Sequence, residues 1–142
     1  MTYRIVVGVD GSVYSEAALR WALDEARARG GSVAAVFCWQ IPFLSIPGAF
    51  DREELEQTYK KYVNEIVSAV APSPDVPLAT LVAEGDPAES LITAAGQAEL
   101  LVVGTRGRSP FAGMVLGSVS QRCAAAAPCP VVLVKGDGAQ AS

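Results

Sequence analysis

The stretch VVGTRGRSPFAGMVLGSVS, from Val102 to Ser120, decides how the rest of the chain is interpreted. It continues an apolar run, passes through a segment with glycines at Gly104, Gly107, Gly113 and Gly117, and ends where a helical pattern starts at Ser118. Glycine lets the backbone approach a ligand closely, and the first turn of a helix offers unpaired N–H groups and partial positive charge. A strand, a glycine loop and a helix start therefore predict an anion site that needs no lysine. On spacing alone, the alternative stays open that these glycines form only a turn and a helix cap.

Outward from this stretch, β-branched apolar runs alternate with amphipathic segments. The runs predict strands at residues 3–9, 32–39, 78–83, 99–103 and 130–135, the third being less apolar and so nearer an edge. The segments predict a first helix capped by Ser15 and ended by Gly30, a second over 51–71, a third behind the pair Asp86-Pro87, and a fourth over 118–126. The alternation predicts an α/β fold, a single-domain five-stranded parallel sheet flanked by helices on both faces, Rossmann-like in type. We expect the domain to cover residues 1–136, with 137–142 as a flexible tail.

Composition restricts the function classes. The chain has 142 residues, 51% of them apolar and 18% charged, with a net charge of −4 and scattered basic residues. We therefore expect no nucleic-acid partner, and the absence of a long apolar run or signal-peptide layout predicts no membrane partner and a cytoplasmic protein. The sequence contains no histidine, which excludes Ser-His-Asp and Cys-His catalysis and histidine metal sites. We read Cys38, Cys123 and Cys129 as reduced thiols, and Cys123 and Cys129 as small buried hydrophobes.

In open α/β sheets, ligands bind beyond the carboxyl ends of the strands, where the strand order reverses. Asp10 follows the first predicted strand and Gly104 follows the fourth, so both are candidates for that crevice. Asp10 by itself is equally consistent with a turn residue that bonds its own backbone. Arg106 and Arg108 have the chemistry to reach phosphate oxygens, although loop arginines are usually only solvated. Cys38 and Trp39 could flank a base, and core packing is the alternative for both. Neither GxxxxGK[ST] nor GxGxxG is present.

Three segments together resemble the universal stress protein family over nearly the whole chain. They are IVVGVDGS at 5–12, EGDPAESLITAA at 84–95 and AELLVVGTRGRSPFAGMVLGSVSQRCAAAAPCPVVLV at 98–134. The nucleotide-binding pattern of that family is G-x2-G-x9-G-[ST], and Gly104, Gly107, Gly117 and Ser118 match it without departure.

The resemblance implies that an adenine nucleotide lies across the ends of strands one and four, with Asp10 at the ribose or base. It implies ATP, with or without Mg²⁺, and cyclic AMP as the alternative ligand. It also implies a homodimer through the last strand, residues 131–135. The predicted nucleotide-binding residues are Gly8, Val9, Asp10, Cys38, Val103, Gly104, Arg106, Gly107, Gly117, Ser118, Val119 and Ser120.

The leading hypothesis is a stress-related protein that binds an adenine nucleotide in a regulatory or sensing role. The first alternative is a dimeric interaction protein of the same fold that acts through partners whatever its nucleotide state. The second is an enzyme, and there the sequence supports at most slow ATP hydrolysis because no motif places a catalytic lysine or histidine. We assign no catalytic residue and no metal ligand.

Overall fold

The structure, a computed structural model, describes residues 2–41, 46–107 and 116–136. Strands and helices alternate along it as the sequence predicts. They are β1 (Arg4–Gly8), α1 (Val13–Arg29), β2 (Ser32–Trp39), α2 (Arg52–Val70), β3 (Leu78–Glu84), α3 (Pro87–Ala94) with a 3₁₀ turn at Ala95–Gln97, β4 (Leu100–Gly104), α4 (Ser118–Ala126) and β5 (Val131–Val134).

The five strands form one parallel sheet in the order β3-β2-β1-β4-β5. The α/β fold class and the parallel sheet are thus confirmed, and β3 lies at an edge as its weaker hydrophobicity predicted. The chain moves from β1 outward to β3 and then returns to β4 on the other side of β1. The strand order therefore reverses between β1 and β4, which is where a ligand crevice is expected in such sheets.

Apolar residues cover both faces of the sheet, because parallel strands are buried on both sides. Alternate positions of each strand point to opposite faces. On one face, Ile5 and Val7 of β1 pack with α1 and α2. On the other, Val6 of β1 packs with residues of α3 and α4, including Leu91 and Cys123. The cleft described below opens on this second layer.

The start of α1 differs from the prediction. Ser12, not Ser15, is the N-cap: its backbone is extended (φ −77°, ψ 159°) and its Oγ accepts a hydrogen bond from the Ser15 N–H at 3.1 Å. Ser15 lies inside the first turn and is buried. The sequence offers a serine at both positions, and the Asp10-Gly11 turn before Ser12 decides which one caps the helix.

Other boundary signals are confirmed. Gly30 ends α1 in the left-handed region (φ 66°), where glycine carries no steric penalty. Asp86 caps α3 by accepting from the Glu89 N–H at 2.9 Å, and Pro87 occupies the first turn. Of the sequence-based predictions, those for Arg108, Gly113, part of the 40–49 loop and the tail at 137–142 lie outside the described residues. Within the described ranges, no helix is long and apolar enough to cross a membrane.

Candidate functional site

A cleft of about 190 Å³ opens at the point where the strand order reverses. The ends of β1, β2 and β4 and the first residues of α3 and α4 surround it. All twelve residues predicted to bind nucleotide line this cleft; that they bind nucleotide stays a prediction. Four further residues line it that the sequence analysis did not assign to the binding site, namely Ser15, Val36, Pro87 and Leu91.

Only one carboxylate oxygen of Asp10 takes part in the turn before α1. Oδ1 accepts from the Ser12 N–H at 2.8 Å, which forms the turn before α1. The main-chain N–H of Asp10 donates to Ser15 Oγ at 3.1 Å, so the backbone of Asp10 is held to the first turn of α1 as well. Oδ2 faces the glycine loop: a Cβ built on Gly107 would lie 2.6 Å from it. The described residues give Oδ2 no hydrogen-bond donor, so this oxygen can accept from a ligand.

The two arms of the glycine loop are joined at its base by two hydrogen bonds, both to the Thr105 carbonyl. The Gly117 N–H donates to the Thr105 carbonyl at 2.7 Å. Ser120 Oγ lies 2.9 Å from the carbonyl oxygens of both Thr105 and Gly117, and its one proton is shared between them. Ser120 is 2% exposed. Its hydroxyl is thus committed to the loop, which separates its role from that of its neighbour Ser118.

The N-terminus of α4 faces the cleft without a side-chain cap. Gly117 is the N-cap and supplies no side chain, and the first helical bond runs from the Gln121 N–H to the Gly117 carbonyl. Within the described residues no acceptor is found for the main-chain N–H groups of Ser118, Val119 and Ser120. Ser118 is exposed and its hydroxyl is likewise without a described partner. Three amides and one hydroxyl at a helix N-terminus can hold an anion.

Close packing explains one glycine of the pattern. A Cβ on Gly104 would lie 2.9 Å from the carbonyl carbon of Tyr14, so only glycine lets the end of β4 approach the first turn of α1 this closely. On the other side of this contact, the guanidinium of Arg106 lies 5.3 Å from the centre of the Tyr14 ring. That cation–π contact holds the Arg106 side chain beside the cleft.

A second cation near the cleft is already paired. Arg122 of α4 contacts Asp86, the N-cap of α3, at 2.7 Å. The α3 amide of Glu89 and the Arg122 guanidinium hold the pKa of Asp86 below its usual range. This ion pair joins the N-cap of α3 to α4, the two helices that border the cleft.

The β2 side of the cleft is apolar. Pro87 and Leu91 lie one turn apart on α3, and the strands below them contribute Val36 and Cys38 of β2 and Gly8 of β1. Cys38 Sγ is 3.9 Å from the Pro87 carbonyl oxygen, and burial raises the pKa of its thiol. The cleft therefore has an apolar end at β2 and α3 and, at the loop and α4, an end where main-chain amides have no described acceptor.

Trp39 belongs to the opposite face of the sheet and does not reach the cleft. Its ring stacks on Tyr59 of α2 with centroids 5.5 Å apart, and Phe37 packs on the same tyrosine at 5.3 Å. Of the two base-flanking candidates on β2, the structure brings only Cys38 to the cleft. Cys123 is fully buried, as expected for a small hydrophobe, whereas Cys129 is half-buried.

The fold and the cleft define an α/β protein with a candidate ligand site at a topological switch point, where a glycine loop leads into a helix. Comparison with known families agrees: residues 1–135 match the Universal stress protein family. The chain belongs to this family.

Its relatives vary in length. A universal stress protein of Mycolicibacterium smegmatis is 40% identical over 133 residues, which are 92% of this chain and 45% of that protein. The chain thus spans about half the length of the first curated relatives it matches.

Solved structures show the same fold. A universal stress protein solved in complex with cAMP is 26% identical, with a TM-score of 0.67, and the match covers 96% of this chain and 98% of that one. The universal stress protein of Archaeoglobus fulgidus in complex with dAMP is 25% identical, with a TM-score of 0.69, covering 94% and 98%.

Proposed function

We propose that this protein binds an adenine nucleotide in the cleft between β1 and β4 and acts as a nucleotide-responsive regulatory protein. One observation carries the proposal: the twelve residues selected from the sequence line a single cleft that is apolar at one end and rich in free amides at the other. A nucleotide has the matching polarity, with a flat base and an anionic phosphate. Family members of similar fold were solved with cAMP and with dAMP, which supports the same ligand class here.

Each end of the cleft has a distinct task. The amides of Ser118 and Val119 and the Ser118 hydroxyl bind phosphate oxygens, helped by the positive end of α4. Arg106 adds a charge-assisted contact. Asp10 Oδ2 accepts from a ribose hydroxyl. ATP is the ligand we propose first and cyclic AMP the second, and a stress-related role in the cytoplasm belongs to the same proposal.

Calorimetric titration of nucleotide-stripped protein with ATP, ADP and cyclic AMP, each with and without Mg²⁺, tests the proposal. The matched variants are Gly117→Lys, which places a long side chain at the uncapped start of α4, and Gly96→Lys. A Cβ on Gly96 meets nothing within 4 Å, so this variant carries the same charge away from the cleft. Binding that is lost only in Gly117→Lys supports the proposal. Absence of binding heat and of thermal stabilisation at millimolar nucleotide refutes it.

A second function rests on the edge of the sheet. β5 is an edge strand whose four residues are all partly exposed, and among the described residues nothing pairs with its outer side. Such an edge favours pairing with another strand, so we propose a homodimer through residues 131–135. Light scattering on the purified chain tests it. If the chain is a monomer at micromolar concentration, both with and without nucleotide, the proposed homodimer is refuted.

A further inference from the structure

Leu91 occupies the space above Gly8 at the apolar end of the cleft. A Cβ built on Gly8 would lie 2.9 Å from Leu91 Cδ1, 3.4 Å from Leu91 Cδ2 and 3.6 Å from Val103 Cγ1. The first of these distances is shorter than van der Waals contact. Gly8 does not have a positive φ, so its lack of a side chain is explained by this packing and not by backbone conformation.

The two residues therefore form a complementary pair, a missing side chain on β1 and an isobutyl group on α3. Leu91 is only 3% exposed and is packed into the core between α3 and the sheet. It nevertheless lines the cleft, together with Pro87 one turn earlier on the same helix face. A buried side chain that forms a cleft wall is held by its neighbours and has little room to move away from a ligand.

Sheet order assigns this wall to one part of a bound nucleotide. From β2 to β4, the cleft passes from Cys38 and Leu91, through Gly8 and Asp10, to the glycine loop and the start of α4. If the phosphate lies at the amides of α4, the base lies at the opposite, apolar end. That end carries no charged side chain among the described lining residues, and an apolar wall discriminates between bases by their shape.

We propose that Leu91, seated over Gly8, is the residue that determines base specificity, by limiting the size of the purine that the cleft accepts. This inference rests on the nucleotide site proposed above. It predicts that the chain binds unsubstituted adenine nucleotides and rejects those that carry an added group on the edge of the base facing α3. Discrimination of about tenfold or more is expected for each added methyl or methylene group.

The test changes the pair in both directions. Leu91→Val removes one carbon from the wall, whereas Gly8→Ala adds one and pushes Leu91 toward the ligand. Ile92→Val is the matched control, because Ile92 follows on the same helix and packs against the same core without lining the cleft. The double variant Gly8→Ala/Leu91→Val adds one carbon at position 8 and removes one at position 91, so the total volume of the two side chains is unchanged. Since Leu91 is buried, each variant is first checked for cooperative unfolding, and Gly8→Ala alone decides the inference if Leu91→Val does not fold.

The measured quantity is the ratio of Kd for AMP to Kd for AMP bearing a methyl or benzyl group at C2, C8 or N6. The inference expects Leu91→Val to shift at least one ratio by about tenfold toward the substituted nucleotide. Gly8→Ala should shift the same ratio in the opposite direction, and the double variant and Ile92→Val should resemble the parent.

Two results overturn the inference and are distinguishable. If the parent binds AMP and all ratios stay at the parent values in Leu91→Val and Gly8→Ala, Leu91 does not determine specificity, while the proposed function stands. If the parent binds no adenine nucleotide at all, the proposed function fails and the inference fails with it.

Discussion

The hydroxyl of Ser120 reaches back across fifteen residues of chain to the main-chain carbonyl of Thr105, with Oγ and O 2.9 Å apart. The same hydroxyl is 2.9 Å from the Gly117 carbonyl. One buried side chain thus ties the end of β4 to the first turn of α4. These hydrogen bonds close the base of the glycine loop without a ligand, and they hold the amides of α4 in position.

Replacing Ser120 by alanine should therefore reduce both stability and nucleotide affinity. A buried hydrogen bond contributes about 1 kcal/mol, which for a chain of this size lowers Tm by about 4 °C. Ser118→Ala is the matched comparison, because its hydroxyl is exposed. We expect that variant to keep its Tm and to lose affinity only. Thermal unfolding and calorimetry on the two variants decide this, and equal effects of both on Tm would contradict the division of roles.

Gly107→Ala should destabilise the protein through Asp10. The added Cβ would lie 2.6 Å from Asp10 Oδ2, so either the carboxylate or the loop must move. Overpacking of this kind costs about 1–3 kcal/mol. The double variant Asp10→Ser/Gly107→Ala shortens the opposing side chain, and we expect it to recover that loss relative to Asp10→Ser alone.

Urea unfolding of the four proteins of this cycle measures the coupling between Gly107 and Asp10. Gly96→Ala is the control for a glycine whose Cβ would be in open space. Additive effects of the Asp10 and Gly107 changes would show that the two residues do not constrain each other.

Much of the fold could be predicted because its signals are local. The predicted bounds of β2 (Ser32–Trp39) and α4 (Ser118–Ala126) agree with the structure at both ends, because glycine or proline lies beside each of these segments. Buried parallel strands also lack polar alternation, which separates them from the amphipathic helices. The cap of α1 was assigned wrongly because Ser12 and Ser15 have the same chemistry. Only the turn made by Asp10 distinguishes them, and that turn depends on three-dimensional hydrogen bonds.

The residues of the candidate site also fall into those with a local sequence signal and those without one. Asp10 and the glycine loop belong to recognisable sequence motifs, so they could be selected as site residues from the sequence. Leu91 and Pro87 lie in the family-resembling segment at 84–95, but no ligand-binding pattern is attached to that segment. Helical periodicity predicts that Leu91 points inward, and nothing in periodicity indicates that the inward side borders a cleft. The Gly8–Leu91 fit is likewise a contact between residues far apart in sequence. The chain gives only one indirect signal for it, the glycine at the end of an otherwise β-branched strand.

The ion pair between Asp86 and Arg122 should make stability depend on pH in acid. The α3 amides and Arg122 lower the pKa of Asp86 in the folded state. The resulting stabilisation is present above the unfolded pKa, about 3.9, and is lost as the pH falls through the lower folded value. Asp86→Asn keeps an N-cap acceptor and removes the charge.

The free-energy difference between Asp86→Asn and the parent should therefore be largest near neutral pH and disappear in strong acid. Both partners are partly exposed, so we expect less than about 1 kcal/mol at pH 7. Urea unfolding at several pH values measures it. A free-energy difference that is constant with pH would mean that the Asp86 charge does not stabilise the fold. If the charge does stabilise it, Arg122→Gln should reproduce part of the pH-dependent loss of stability.

The three thiols provide a readout of the cleft that needs no substitution. Burial raises the pKa of all three thiols, that of Cys123 to about 11, so Cys123 should be the slowest to react with a maleimide at pH 8. Cys38 lines the cleft, whereas Cys129, half-buried near the start of β5, does not. Saturating adenine nucleotide should slow the labelling of Cys38 and leave that of Cys129 unchanged, as mass spectrometry of labelled peptides would show. Because Cys129 is an internal control in the same molecule, equal protection of both thiols would indicate general stabilisation, and protection of neither would place the nucleotide outside this cleft.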